Sequence, residues 1–123
     1  MSSFLETAIK AAKSAGDLLK EHYYKDKEVD SYEQYDIKLE LDVMSQNRIS
    51  EVILNDFPDH SIIGEEGDSL SNQSEYHWVV DPIDGTVNYF YGIPHFCVSI
   101  ALKKATEDKW LVGVIYDPMM DEL

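Results

Sequence analysis

The chain has a single cysteine, Cys97, among its 123 residues. No intrachain disulfide can form, which fits a reducing compartment, so a cytoplasmic location is expected. Cys97 falls inside the apolar run Phe96-Cys97-Val98-Ser99-Ile100, where a small buried thiol is the ordinary reading. No apolar stretch approaches the ~20 residues needed to span a bilayer, so no membrane partner is expected. The first residues, MSSFLETAIKAAKSAGDLLKEHYY, lack the apolar block of a signal peptide. Basic residues are scarce: 10 Lys+Arg stand against 24 Asp+Glu, a formal net charge of −14. Nucleic acid would be repelled by such a surface, and no basic run segregates the charge. No Gly-rich loop ending in Lys-Ser/Thr is present, which sets aside a P-loop NTPase. Repeats, low-complexity segments and linkers are missing too, so residues 1–123 are read as one unit.

What remains is the composition of a folded chain, 44% hydrophobic and 28% charged. Most of the acidic residues serve solubility. The sharper reading is that a few of them converge on a divalent cation.

Helical spacing of Leu5, Ala8, Ile9, Ala12, Ala15, Gly16 and Leu19 predicts a helix over about Ser3 to Tyr24. Ser3 and Glu6 have capping-box spacing at its start. Lys25 to Tyr35 reads as a charged loop, and Asp36 to Leu41 as a short extended piece, because polar and apolar residues alternate there. A second helix is expected from Asp42 to Phe57, with Ile49, Val52, Ile53 and Phe57 on one face and Pro58 as its stop. Strands follow at 61–64, 76–80, 95–102 and 110–116. Gly67 to Glu75 reads as polar loop, and a turn at Asp108 makes the last two strands an antiparallel pair. The fold class is α+β, two N-terminal helices packed on a mainly antiparallel sheet.

Two segments carry chemistry, Gly64-Glu65-Glu66-Gly67 and Asp81-Pro82-Ile83-Asp84-Gly85-Thr86, each directly after a predicted strand. Strand ends present side chains at a sheet edge, where ligand sites form. A turn at Pro82 can bring the carboxylates of Asp81 and Asp84 to one side, with the Ile83 carbonyl between them. Gly85 lets the backbone approach a ligand. If a helical turn begins near Thr86, the N–H groups of Gly85 and Thr86 point at an anion. Carboxylates and a carbonyl beside phosphate-binding amides are the inventory that magnesium uses. Glu65 is the natural third ligand. The bland alternatives are a solvated turn at Glu65-Glu66 and a polar turn at Asp81–Asp84; Glu66, Asn88 and His95 are read as structural.

The run Asp81-Pro82-Ile83-Asp84-Gly85-Thr86-Val87-Asn88-Tyr89, continuing as Gly92-Ile93-Pro94-His95-Phe96, closely resembles the first signature of the inositol monophosphatase family. The upstream Gly-Glu-Glu and the order of helices and strands agree with it. The resemblance implies the N-terminal part of the layered sugar-phosphatase fold. It implies magnesium-dependent hydrolysis of a small phosphomonoester, inositol monophosphate to inositol and phosphate first. A fructose bisphosphate or 3′-phosphonucleotide is the alternative substrate. By the same resemblance Glu65, Asp81 and the Ile83 carbonyl hold one Mg²⁺; Asp81 bridges to a second, which Asp84 also binds. Gly85 and Thr86 contact the phosphate, and Thr86 and Asp42 serve the attacking water. Two or more Mg²⁺ ions, inhibition by Li⁺ and a homodimer of the complete protein are further implications.

Asp42 alone reads as the N-cap of the second helix. The family usually has Thr three residues before this Asp, where this chain has Leu39. The family's second signature, a Trp-Asp followed by small residues, has no match, since Val79 follows Trp78 and Leu111 follows Trp110. The chain is therefore expected to be the N-terminal, metal-binding part of such an enzyme, with a non-catalytic metal-binding fragment as the competing reading.

Overall fold

The computed structural model describes residues 3–23, 31–64, 74–85, 89 and 95–123, with only the helix backbone described at Tyr23 and over 31–39. Two helices, α1 (Phe4–Tyr23) and α2 (Ser31–Asp56), precede four strands: β1 (Ser61–Gly64), β2 (Tyr76–Asp84), β3 (Cys97–Lys104) and β4 (Lys109–Tyr116). The strands lie side by side in chain order. β1 runs parallel to β2, and the β2–β3 and β3–β4 pairs are antiparallel. Both helices pack on one face of the sheet, α1 over β3 and β4, α2 over β2. This is the expected α+β layering.

Period-two alternation decides the core. Ile62, Trp78, Val80, Val98, Ile100 and Val114 are buried beneath the helices, whereas Ile63, Val79 and Ile115 on the other face stay exposed. Each fully buried aliphatic side chain contributes ~1.5–3 kcal/mol, so a one-residue register slip would be costly. The β3–β4 turn is as expected, with Asp108 left-handed (φ 48°) after a single 3₁₀ turn. Asp tolerates this conformation better than most residues. No described helix is long and apolar enough to cross a membrane.

Helix α1 begins where capping predicts, the Glu6 N–H donating to Ser3 Oγ at 3.1 Å. Ala8, Ala11, Ala12 and Ala15 are completely buried, and these short side chains let the helix sit close to the sheet. Leu5 does not join them and is 50% exposed. Phe4 faces inward instead, its ring centroid 5.2 Å from that of Phe57 and 5.4 Å from that of Tyr76. The apolar stripe is thus displaced by one residue at the first turn.

Gly16 lets α1 lie close against Tyr116, the last residue of β4. A Cβ there would collide with the Tyr116 ring and lie 3.2 Å from Pro118 Cβ. A glycine inside a helix costs ~1 kcal/mol relative to alanine, and this contact explains its place. Gly16→Val is expected to lose ~1–3 kcal/mol by overpacking, read as a lower urea midpoint at unchanged slope. A midpoint at or above that of the parent protein would mean the ring and Pro118 move aside freely.

Helix α2 differs from expectation at its start. The backbone is helical from Ser31, so the segment read as loop up to Tyr35 and as extended from Asp36 to Leu41 is helix. Residues 25–30 lie outside the described residues. Six alternating residues also place Ile37 and Leu41 four apart, the spacing of a helix face. Lys, Leu, Glu and Gln are good helix formers as well, so the segment was ambiguous. Asp42 consequently sits inside the helix and is not its N-cap. Ile49 and Ile53 are buried as expected, and the helix ends at Asp56, before Pro58.

An aromatic cluster closes the far end of the molecule. His60 stacks on Phe57 at 4.8 Å and on Tyr76 at 4.8 Å, and its Nδ1 accepts the indole N–H of buried Trp78 at 3.0 Å. An accepting Nδ1 requires neutral imidazole. Burial lowers the His60 pKa, against the raising effect of the Asp59 charge. The unfolded chain binds this proton near pH ~6.5, and the folded chain only at lower pH. The unfolded state therefore holds more protons just below pH ~6.5, and stability falls as pH drops through that window. Urea midpoints at pH 7.5 and 5.5 are expected to diverge less in His60→Gln than in the parent. Equal divergence in both would show that His60 ionises freely within the fold.

Candidate active site

The Asp81–Asp84 segment was expected to follow a strand and turn at Pro82; it is instead the last part of β2. Asp81 pairs with Ser99 and Asp84 with Cys97, so three steps along β2 match two along β3. One extra residue is accommodated, which is a β-bulge. Pro82 has no N–H to give the ladder and belongs naturally at such a position. The bulge has a chemical consequence. Trp78, Val80 and Pro82 point inward on even positions, then Ile83 is also buried and Asp84 is exposed. The alternation changes phase, and Asp81 and Asp84 emerge on the same face. A regular strand would have sent them to opposite faces.

Helix α2 brings its own polar residues to this strand end. Asp42, Ser45 and Gln46 are all buried and lie on one helix face, three and four residues apart. Ser45 Oγ donates to the Pro82 carbonyl at 3.0 Å. The Gln46 side-chain amide lies against Gly64, occupying the place of a Cβ at that position. Gly64 ends β1 and is opposite Val80, next to Asp81. A single turn of α2 therefore touches both strand ends, and Asp42 is one turn before the Ser45 contact. Its carboxylate is 1% exposed, and burying an ionised carboxylate is expensive unless opposite charge or hydrogen bonds compensate.

Gly85 follows with φ 91°, a conformation that penalises any side chain. A Cβ there would sit 3.0 Å from the His95 carbonyl oxygen. The Tyr89 N–H donates to the Gly85 carbonyl at 3.1 Å, the i→i−4 bond of a helical turn. The buried Tyr89 hydroxyl donates to the Leu19 carbonyl at 2.8 Å, tying this turn to α1. Asp84, Gly85, His95, Cys97, Ile115 and Asp117 line an open cleft of about 320 Å³. Cys97, partly buried, places its thiol 3.8 Å from Asp84 Oδ2. Burial first, then the Asp84 carboxylate, push its pKa up to about 11, so the thiol stays protonated and donates.

Asp81, Ile83, Asp84 and Gly85 are thus gathered at one strand end, with Asp42 on the helix turn above. Glu65 and Thr86 lie outside the described residues, as do Glu66 and Asn88. Among the described residues no three of His, Cys, Asp and Glu are grouped as a metal site. The donors present are all oxygen, two carboxylates and a carbonyl on one bulge, and that set suits a hard cation. Ser45 and Gln46 were not anticipated, although their spacing from Asp42 on a helix would have flagged them.

A model of the inositol monophosphatase family matches residues 1–123. The chain belongs to this family. It is 42% identical over 125 residues to the fructose-1,6-bisphosphatase/inositol-1-monophosphatase of Aquifex aeolicus, covering 100% of this chain and 47% of that protein. Inositol monophosphatase from Anabaena (Nostoc) superimposes with a TM-score of 0.78 at 40% identity, over 97% of this chain and 41% of that one. Extragenic suppressor protein suhB from Bartonella henselae gives a TM-score of 0.80 at 32% identity, over 94% and 44%. The chain spans about half the length of the curated relatives it matches. Two helices on a four-stranded mixed sheet are the part of the family fold that it contains.

Proposed function

We propose that the full-length protein is a magnesium-dependent phosphomonoesterase acting on a small polyol phosphate, inositol monophosphate first. The observation that carries this is the bulge at Pro82-Ile83, which turns Asp81 and Asp84 to one face beside left-handed Gly85. Asp81, Asp84 and the Ile83 carbonyl, with Glu65, would hold the metal. Magnesium bound there supplies Lewis acidity, neutralising phosphate charge and acidifying water. The Gly85 backbone, free of a Cβ, lets a phosphate oxygen come close to the main chain. Thr86 and Asp42 are assigned to orienting the attacking water and taking its proton. Hydrolysis of phosphate monoesters is among the slowest uncatalysed reactions known, so positioning and charge neutralisation are the main demands on the site.

The name of the Aquifex aeolicus relative supports a second substrate in the same reaction class, a sugar bisphosphate. The test is phosphate release from inositol monophosphate, fructose bisphosphate and a 3′-phosphonucleotide, with Mg²⁺ and with chelator. Chelator-sensitive release from the first is expected. No release from any of the three would favour a non-catalytic metal-binding role.

A further inference from the structure

We propose that Ser45 and Gln46 of helix α2 are positioning residues for the oxygen ligands at the end of β2. This inference rests on the metal-phosphatase reading above. Three observations meet in one helical turn. Ser45 is completely buried and donates to the Pro82 carbonyl at 3.0 Å. Gln46 is 7% exposed and its amide lies on Gly64. Pro82 is within the bulge that turns Asp81 and Asp84 to the same face.

The Pro82 carbonyl is the acceptor that orients the Pro82–Ile83 peptide. The next carbonyl along the chain is that of Ile83, and the next side chain that of Asp84. Holding the first peptide plane to a helix limits the rotation of the ligands after it. The second contact works on the neighbouring strand. Gly64 is opposite Val80 in a parallel ladder, so the two strand ends move as one unit and a contact on either acts on both. The Gln46 amide fills the space over Gly64, and Ser45 pins the strand beside it. The seating of both strand ends against α2, the helix that also carries Asp42, is therefore set by these two contacts.

A buried serine and glutamine could be explained by packing alone, but packing does not require their specific partners. The serine hydroxyl donates to the carbonyl at the bulge, and the glutamine side chain fills a space at the end of β1 that only a glycine leaves open. Groups that orient metal ligands typically cost ~10–100-fold in metal affinity or activity when removed.

The test uses the full-length protein and Mn²⁺ as the probe metal, with affinity measured by calorimetry in the absence of substrate. Ser45→Ala and Gln46→Met are expected to weaken Mn²⁺ binding ~10–100-fold and to raise the magnesium concentration for half-maximal turnover. Ser45→Thr, which restores the hydroxyl, should recover part of the loss. Ile49→Val, a truncation one turn further along the same helix face, serves as the stability control. It should lower the melting temperature without moving Mn²⁺ affinity. Parent-like Mn²⁺ affinity in both folded variants, beside a parent enzyme that binds metal and hydrolyses phosphate, would overturn the positioning role and leave the proposed function standing. A parent protein that binds no divalent ion would overturn both.

Discussion

Asp84→Asn in the full-length protein is expected to lower kcat/KM for inositol monophosphate about a thousandfold at fixed Mg²⁺. Asparagine keeps the shape of the side chain and an oxygen that can face the Cys97 thiol. It removes the negative charge that a hard cation prefers. Metal stabilisation of a developing charge is worth several kcal/mol, and ~4 kcal/mol corresponds to about a thousandfold in rate. Asp84 is exposed and lies beside the bulge, clear of the core, so the fold should be unaffected; surface substitutions usually stay within ~0.5 kcal/mol. The substitution even relieves repulsion between two carboxylates on one face. A loss of activity with an unchanged melting temperature is thus the expected pair of results. Turnover near that of the parent at ordinary Mg²⁺ would sink the metal assignment.

Trp78→Ala is expected to have the largest effect on stability, ~3–5 kcal/mol. Trp78 is completely buried at the centre of the sheet, with Ile62 beside it on β1 and Leu102 opposite it on β3. Its ring lies 6.4 Å from that of Phe57 and 6.3 Å from that of His60. Removing it leaves a large cavity and takes the N–H from His60 Nδ1. Domains are stable by only ~5–15 kcal/mol, so much of the margin would go. Trp78→Phe keeps one aromatic ring and loses the rest of the indole with its N–H, so a smaller loss is expected. Urea unfolding followed by far-ultraviolet circular dichroism measures both. A loss below ~1.5 kcal/mol for the alanine variant would mean that the sheet can close over the gap.

Local patterns were legible where one physical requirement dominated. Ser3 and Glu6 announced the start of α1 because a helix start has free N–H groups to satisfy. The aromatic and β-branched run Tyr76 to Val80 announced a strand, and Asp108 the turn of the β3–β4 hairpin. Legibility failed where two periods coexisted. Asp36 to Leu41 alternates like a strand, yet its apolar residues also fall at helical spacing, and it is helix. The one-residue displacement at Leu5 and Phe4 has a similar origin, since both are apolar and only the neighbouring Phe57 and Tyr76 select between them.

The candidate site divides in the same way. The residue types and order of Asp81-Pro82-Ile83-Asp84-Gly85 determined by themselves which oxygen donors are available and where a side chain is forbidden, because charge, a missing N–H and a missing Cβ are properties of single residues. How those donors face one another was decided only by tertiary structure. The two aspartates share a face because three steps along β2 meet two along β3, which forces a bulge. Asp42 comes to the same strand end because Ser45 and Gln46 dock its helix on Pro82 and Gly64. Both contacts join residues far apart in the chain, and no local period encodes a contact between distant segments.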